Sequence, residues 1–275
     1  MGPVLAQHYT VIAPDNRGMG DSSIPANNVY TSEAIASDLK GVLDFLRINQ
    51  TLVFSHDKGA GFAAALSAQN RNLVRAVGFS EYGLPGFGYE QFWVPQPTWD
   101  LYQNWQLAFF AIPDAAEYFI RDREKQMLSW YFFHTSYSGN EAIPDDILNR
   151  YTNSISKPGF LRAMMGPFAT YTVAADNKFF NQTLRSKPLA MPMLVLGGEA
   201  SISPVSLMQQ IWGSVGTKVT YDVVPKAGHW IADENPNWVS KRLLEFFKPI
   251  AGSVPAVDLS WLENKVTLPG AAAEN

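Results

Sequence analysis

Two apolar runs flanking a helix of small residues constrain this chain most. Thr51 to Ser55 (TLVFS) is rich in β-branched and apolar residues, small side chains follow through Ala60, Ala65 and Ala68, and Arg75 to Phe79 (RAVGF) is apolar again. A strand, helix, strand unit of this size joins neighbours in a parallel sheet, and near-continuous apolar strands suit a sheet covered on both faces. The rhythm returns downstream, with a strand over Pro192 to Leu196 (PMLVL), a helix over Pro204 to Trp212 and a strand over Lys218 to Val224 (KVTYDVV). A last helix from about Pro236 to Phe247 sets Val239, Leu243, Leu244 and Phe247 on one face. Upstream, His8 to Pro14 (HYTVIAP) reads as another buried strand. Thr31 or Ser32 then caps a helix that carries Ile35, Leu39, Val42, Leu43 and Leu46 on one side and ends near Asn49. The expected class is α/β with a mostly parallel sheet.

Between these halves the texture changes. From about Tyr82 to Pro188 the chain is aromatic-rich, helical in pattern and broken by Pro85, Pro95, Pro97, Pro113, Pro144 and Pro158, which predicts an inserted helical cap. The expected division is a first core part over 1–82, the cap over 83–188, a second core part over 189–250 and a tail over 251–275 with an apolar island at Leu259 to Leu262. At 47% hydrophobic residues, the 275-residue chain has ample material for a core. A net charge of −4 argues against a basic nucleic-acid footprint, and zero cysteines exclude disulfides and thiolate chemistry. The start of the chain has neither the pattern of a signal peptide nor that of a lipid anchor, and no apolar stretch approaches a membrane span. The expectation is a cytoplasmic protein with no membrane partner, in which the Asn49 and Asn181 glycosylation patterns are chance matches.

The segment richest in chemistry is Ser55-His56-Asp57-Lys58-Gly59-Ala60, where a buried strand turns directly into a helix. A sharp turn of this kind forces its central residue into strained backbone space, so its neighbours two before and two after must be small, as Ser55 and Gly59 are. The turn lifts Asp57 to the carboxyl end of the sheet and aims helix N-terminal N–H groups at it, so its carboxylate can act as a covalent nucleophile. The competing interpretation is that Asp57 merely caps the following helix. The loop Lys226-Ala227-Gly228-His229-Trp230 follows a strand and brings His229 to the same sheet edge. Arg17-Gly18-Met19-Gly20 lacks the third glycine of a dinucleotide fingerprint, and four scattered histidines offer no metal spacing, so neither a cofactor nor a metal is expected.

These residues, with the Asp15-Asn16-Arg17-Gly18-Met19-Gly20-Asp21-Ser22 turn and Glu234-Asn235-Pro236, resemble the epoxide hydrolase and haloalkane dehalogenase branch of the α/β hydrolases. The resemblance implies an α/β-hydrolase fold in which Asp57 attacks an sp³ carbon and His229 activates the water that cleaves the alkyl ester. It offers two positions for the acid that orients His229. One follows the strand after the cap, where this chain has Ser201 with Glu199 two residues early. The other follows the strand before the cap, where Glu81 lies 24 residues past Asp57, as in Cif-like epoxide hydrolases, and Glu81 is the expected acid. Tyr171 falls at the position of the cap donor to the epoxide oxygen, and Gln106, beside Trp105, replaces a cap His. The Lys58 N–H would serve the oxyanion, while His56, Trp105, Gln106, Tyr137 and Trp230 are expected to line the substrate site; His134 is a further donor option. Lys58 and Gly61 stand where fluoroacetate-type enzymes carry two arginines, and Lys58 also stands where haloalkane dehalogenases carry a halide-binding Trp. The resemblance therefore favours a small apolar epoxide, with alkyl halide hydrolysis as the alternative, and allows a homodimer. It also implies that three strands and a His-Gly-x-Pro loop are missing before His8. That loop supplies an oxyanion N–H, so a catalytically impaired binding protein is the remaining expectation.

Overall fold

The computed structural model describes residues 1–92, 101–201 and 204–262. Pro95, Pro97 and the tail beyond 262 lie outside the described residues. Four parallel strands form the sheet in chain order: β1 (Thr51–His56), β2 (Val74–Ser80), β3 (Met193–Gly198) and β4 (Val219–Val224). Phe54 pairs with Gly78, Phe79 with Val195 and Leu196 with Asp222, which aligns the carboxyl ends of the strands. Each strand lies within a few residues of the run its apolar sequence predicts.

Strand alternation sends neighbouring residues to opposite faces, and both faces are covered. Val77, Phe79, Met193 and Val195 pack on the helices Lys58–Gln69 and Val205–Trp212, with Phe79 stacked on Trp212 at 4.0 Å. Ala76, Leu194 and Leu196 face Val239, Leu243 and Phe247 of the helix Pro236–Ala251. Burying each large side chain of this kind contributes about 1.5–3 kcal/mol. The helix Ser32–Phe45 packs outside Lys58–Gln69, and its N-cap is Thr31, whose hydroxyl accepts from the Ala34 N–H at 3.3 Å. The last helix runs four residues beyond Phe247, through Pro249. A proline in the final turn forfeits few intrahelical bonds and so does not stop it. Part of the apolar island, Ser260–Leu262, is a short 3₁₀ turn whose Trp261 meets Phe45 at 5.4 Å.

His8 to Pro14 departs from the expected strand. A helix spans Gly2–Leu5, the following segment is irregular, and Val11 is exposed. A strand exists through its ladder, and among the described residues no neighbour pairs with this segment or with the outer edge of β1.

Between β2 and β3 the chain forms the cap: helices Leu101–Phe110, Pro113–Ile120, Glu124–His134, Asp145–Ile155, Phe160–Met165 and Thr170–Leu184, with short 3₁₀ turns at Tyr89–Phe92, Gly139–Glu141 and Gly166–Phe168. Their buried aromatic and aliphatic faces continue the core under the cap. Among the described residues no helix is long and apolar enough to cross a membrane.

Candidate active site

β1 ends at His56, and the helix Lys58–Gln69 begins one residue later. The whole reversal falls on Asp57, which adopts φ 46° and ψ −131°. A non-glycine residue held there stores about 1–3 kcal/mol of backbone strain. Asp57 stands at the N-cap position, yet its carboxylate makes no cap hydrogen bond, so the capping interpretation fails. The steric demand is not where the sequence pattern puts it. A β-carbon on Gly59 would meet only the Ser55 β-carbon, at 3.9 Å, because Ser55 is itself small. One on Gly61 would come within 2.9 Å of the Ser32 hydroxyl and 3.3 Å of the Tyr82 ring.

His229 approaches Asp57 on the loop after β4. Its N–H donates to the Thr135 carbonyl of the cap at 2.7 Å, and its own carbonyl accepts from His56 Nε2 at 2.7 Å. Two glycines allow this approach: a β-carbon on Gly198 would lie 2.1 Å from the Gly228 carbonyl oxygen, and one on Gly228 would lie 2.4 Å from the Thr135 carbonyl oxygen. Glu234 ties the same loop to the cap, accepting from the N–H groups of Gly228, Tyr137 and Ser138 at 2.7–2.8 Å.

The imidazole bridges two carboxylates. Nε2 lies 3.7 Å from Asp57 Oδ2, and Nδ1 lies 3.1 Å from Glu81 Oε2. Glu81 follows β2 in a left-handed conformation, φ 56°; its Oε1 accepts from the Gly198 N–H at 2.6 Å and its Oε2 from the Ser201 hydroxyl. Ser201, where the other acid position falls, thus donates to the acid that is present. Glu199 is exposed and accepts from the Lys226 N–H at 2.8 Å, away from the imidazole.

Electrostatics separates the roles. Burial opposes the His229 imidazolium, but hydrogen bonding and charge from Asp57 and Glu81 outweigh it and raise its pKa to about 10. Burial alone would raise the Asp57 pKa, yet His229 foremost and Lys58 hold it below its usual value. The Asp57 side chain is 26% exposed, so an ionised carboxylate faces an approachable space. Burial raises the Glu81 pKa despite its three hydrogen-bond donors. His56 is pushed down to about 4 by burial and the charge of His229, which leaves it neutral with Nε2 as donor.

The other predicted residues divide. Trp230 lies against His229 at 4.8 Å and His56 at 5.9 Å, and its Nε1 donates to the Thr135 hydroxyl at 2.8 Å. Gln106 is buried, whereas Trp105 is partly exposed and packs on Trp130 and Phe109. His134 stacks on Trp130 at 3.8 Å, and the Tyr137 side chain is exposed. Tyr171 is 62% exposed, and its electrostatic neighbour is Tyr30. The tyrosines whose pKa is raised by burial and by the charge of Asp57 are Tyr82 and Tyr131, and Tyr89 raises both as well. The Tyr131 ring packs on Trp230 at 5.2 Å. Among the described residues no group of three or more His, Cys, Asp or Glu is placed to hold a metal ion.

A strand-to-helix elbow centred on Asp57, a late loop histidine and a glutamate after a strand are joined here on one parallel sheet, and residues 1–236 match the family described as alpha/beta hydrolase fold. The chain belongs to that family. Among its relatives, this α/β hydrolase is 28% identical over 251 residues to the soluble epoxide hydrolase of Corynebacterium sp. (strain C12), covering 90% of this chain and 84% of that protein. It is 25% identical over 248 residues to epoxide hydrolase 3 of Mus musculus, covering 89% of this chain and 65% of that one. The chain thus spans just under two thirds of the length of the mouse relative. Wild-type Cfl2 from Burkholderia cenocepacia superposes with a TM-score of 0.81 at 25% identity, covering 89% of this chain and 81% of that structure. The ligand-free epoxide hydrolase CorEH superposes with a TM-score of 0.79 at 25% identity, covering 90% and 85%.

Proposed function

We propose that this α/β hydrolase opens epoxides to diols through an alkyl ester on Asp57. The observation that carries the reading is the line from Asp57 through His229 to Glu81, set at the carboxyl ends of β1, β2 and β4. Similarity to proteins that are epoxide hydrolases supports the substrate class, and the Trp230 ring beside His229, with Tyr131 packed on it, suits an apolar substituent.

In the first step an Asp57 oxygen attacks one epoxide carbon, the carbon–oxygen bond of the ring breaks, and the departing oxygen takes a proton from a cap hydroxyl. Tyr131 and Tyr89, which act on each other electrostatically, are the hydroxyls offered to that oxygen in preference to Tyr171. Burial and the neighbouring charge of Asp57 raise the Tyr131 pKa well above its usual value, so it stays protonated and able to donate. Esterification then removes the Asp57 charge. His229 loses one of the two anions that hold its proton, its pKa falls, the Nε2 proton passes through solvent to the tyrosinate left by ring opening, and the free Nε2 then takes a proton from water. The resulting hydroxide attacks the ester carbonyl, and the Lys58 N–H at the start of its helix stabilises the oxyanion. Collapse expels the alkoxide, which takes the Nε2 proton and leaves as the diol, the Asp57 carboxyl returns its own proton to Nε2 and keeps one solvent oxygen, and Glu81 keeps Nδ1 protonated and the ring oriented.

Styrene oxide in oxygen-18 water under single-turnover conditions tests the reading. Label is expected in the peptide containing Asp57, and His229→Gln is expected to accumulate the ester as a mass increase on that peptide. Turnover of the epoxide with label only in the diol and no adduct in His229→Gln would refute the covalent route.

A further inference from the structure

Lys58 follows the nucleophile directly, and its side chain occupies an unusual setting. It is 8% exposed, and its ammonium forms no ion pair with a described carboxylate. Nζ donates one hydrogen bond, to the Tyr89 hydroxyl at 2.9 Å, and sits over the rings of Tyr89, Phe168 and Tyr82 at 4.3, 4.5 and 5.3 Å. Burying a cation this way is costly, and cation–π contacts with one hydrogen bond offset only part of it. An uncharged side chain would fill an aromatic cage without that cost, so the charge itself calls for an explanation.

The elements that meet at Lys58 suggest one. Tyr82 and Tyr89 lie where the chain leaves β2 for the cap, and Phe168 lies near the cap's end. Asp176, on the last cap helix, acts on Lys58 through space and is itself fastened to the core, accepting from the Ser32 N–H at 2.8 Å and the Ser32 hydroxyl at 2.6 Å. The cap therefore closes around a core cation one residue from the nucleophile. When Tyr89 accepts a hydrogen bond from an ammonium, its own hydroxyl hydrogen must turn to another acceptor. The adjacent positive charge also stabilises the phenolate that would remain after proton transfer.

We propose that Lys58 is a positioning residue for epoxide opening: its ammonium orients the Tyr89 hydroxyl and polarises it as a proton donor to the departing oxygen. The inference rests on the proposed epoxide reaction. The charged groups facing Lys58 are Asp57 and Asp176, and the titratable hydroxyls are those of Tyr82 and Tyr89. Burial lowers the Lys58 pKa to about 8 against the pull of Asp57 and Asp176. As pH rises through about 8 the ammonium becomes an amine, polarisation of Tyr89 is lost, and the opening rate falls.

The test measures kcat/KM for styrene oxide against pH in wild type, Lys58→Arg, Lys58→Met, Tyr89→Phe and the Lys58→Met/Tyr89→Phe pair. Wild type is expected to lose activity above about pH 8. Lys58→Arg, whose cation does not titrate in this range, is expected to hold its plateau at least about one pH unit higher. Lys58→Met is expected to lose about tenfold or more at neutral pH and to lack the alkaline limb, and in the Tyr89→Phe background the same substitution is expected to cost less than about threefold. A side chain with only a packing role would lower stability and leave the limb where it is. An unshifted limb in Lys58→Arg and additive losses in the double variant would overturn the proposal, and Lys58→Arg with Tyr89→Phe decides it should Lys58→Met not fold. A wild-type Asp57 ester together with either negative result sinks the Lys58 role alone, whereas absence of that ester sinks the epoxide mechanism and this inference with it.

Discussion

The two walls of the site are built by different means. On the core side, Asp57, Glu81 and His229 hang from the ends of strands or the loop after one, and their backbones are over-determined. Asp57 and Glu81 both have positive φ, and the His229 loop passes a glycine whose β-carbon would clash with it. On the cap side, Tyr131, Tyr89 and Phe168 are held by ring packing and by isolated polar links such as Lys58 to Tyr89 and Trp230 to Thr135. A sheet edge fixes atoms through hydrogen-bonded backbone, whereas a helical cap fixes them through side chains that can repack. Core substitutions should therefore act on chemistry abruptly, and cap substitutions by degrees.

The largest effect is expected at Asp57, the proposed nucleophile. Asp57→Asn keeps the side-chain shape, removes the attacking anion and should lower kcat by about four orders of magnitude, with no adduct on the Asp57 peptide in a quenched reaction. Comparable activity in Asp57→Asn would mean that the strained elbow is not where the bond forms. Next comes the choice of acid. Glu81→Gln should slow ester hydrolysis about 100-fold or more and let the ester build up, while Glu199→Gln should stay within about twofold. The reverse ranking in rapid-quench measurements would move the acid to the strand after the cap. Removing the hydroxyl donor with Ser201→Ala should cost less than Glu81→Gln, because Gly198 still supports Glu81.

The cap should respond more gently. Tyr131→Phe is expected to lower the rate of ester formation by about 10- to 100-fold, and Tyr171→Phe is expected to leave it within about twofold. Equal losses in the two variants, read by single-turnover burst rates, would erase the distinction between the half-buried and the exposed tyrosine.

The same contrast explains how far the residues alone could be read. The strands were legible because parallel strands buried on both faces carry long apolar runs, and Asp57 was legible because a strand meeting a helix of small residues leaves one residue to make the turn. His229 and Glu81 followed from their places after strands and from the family resemblance. His8 to Pro14 has strand composition but no paired neighbour among the described residues, a non-local condition that composition cannot express. Within the cap, Tyr131 and Tyr171 stand among many aromatic residues in helical segments. Which of them turns toward Asp57 depends on how the helix Glu124–His134 rolls against Trp230, and no local pattern encodes that rotation. Asp176 and Ser32 are 144 residues apart and carry no motif that links them.

The smallest expected effect concerns that last pair, where cap and core share a hydrogen-bonded carboxylate. Burial raises the Asp176 pKa to about 6 from an ordinary 3.8, although Ser32 and Lys58 oppose the shift. Between those values the folded chain binds more protons than the unfolded chain, so stability falls as pH rises from about 4 to about 6 through this group alone. Asparagine at 176 can still accept from the Ser32 N–H and can donate to its hydroxyl, but it carries no charge to titrate. Asp176→Asn should therefore change the melting temperature at neutral pH by only a few degrees while removing this contribution to its slope between about pH 4 and 6. It also takes a countercharge away from Lys58, so the alkaline limb of activity should move to lower pH. An unchanged slope together with an unchanged limb would mean that the clasp between cap and core is made by packing, not by the carboxylate.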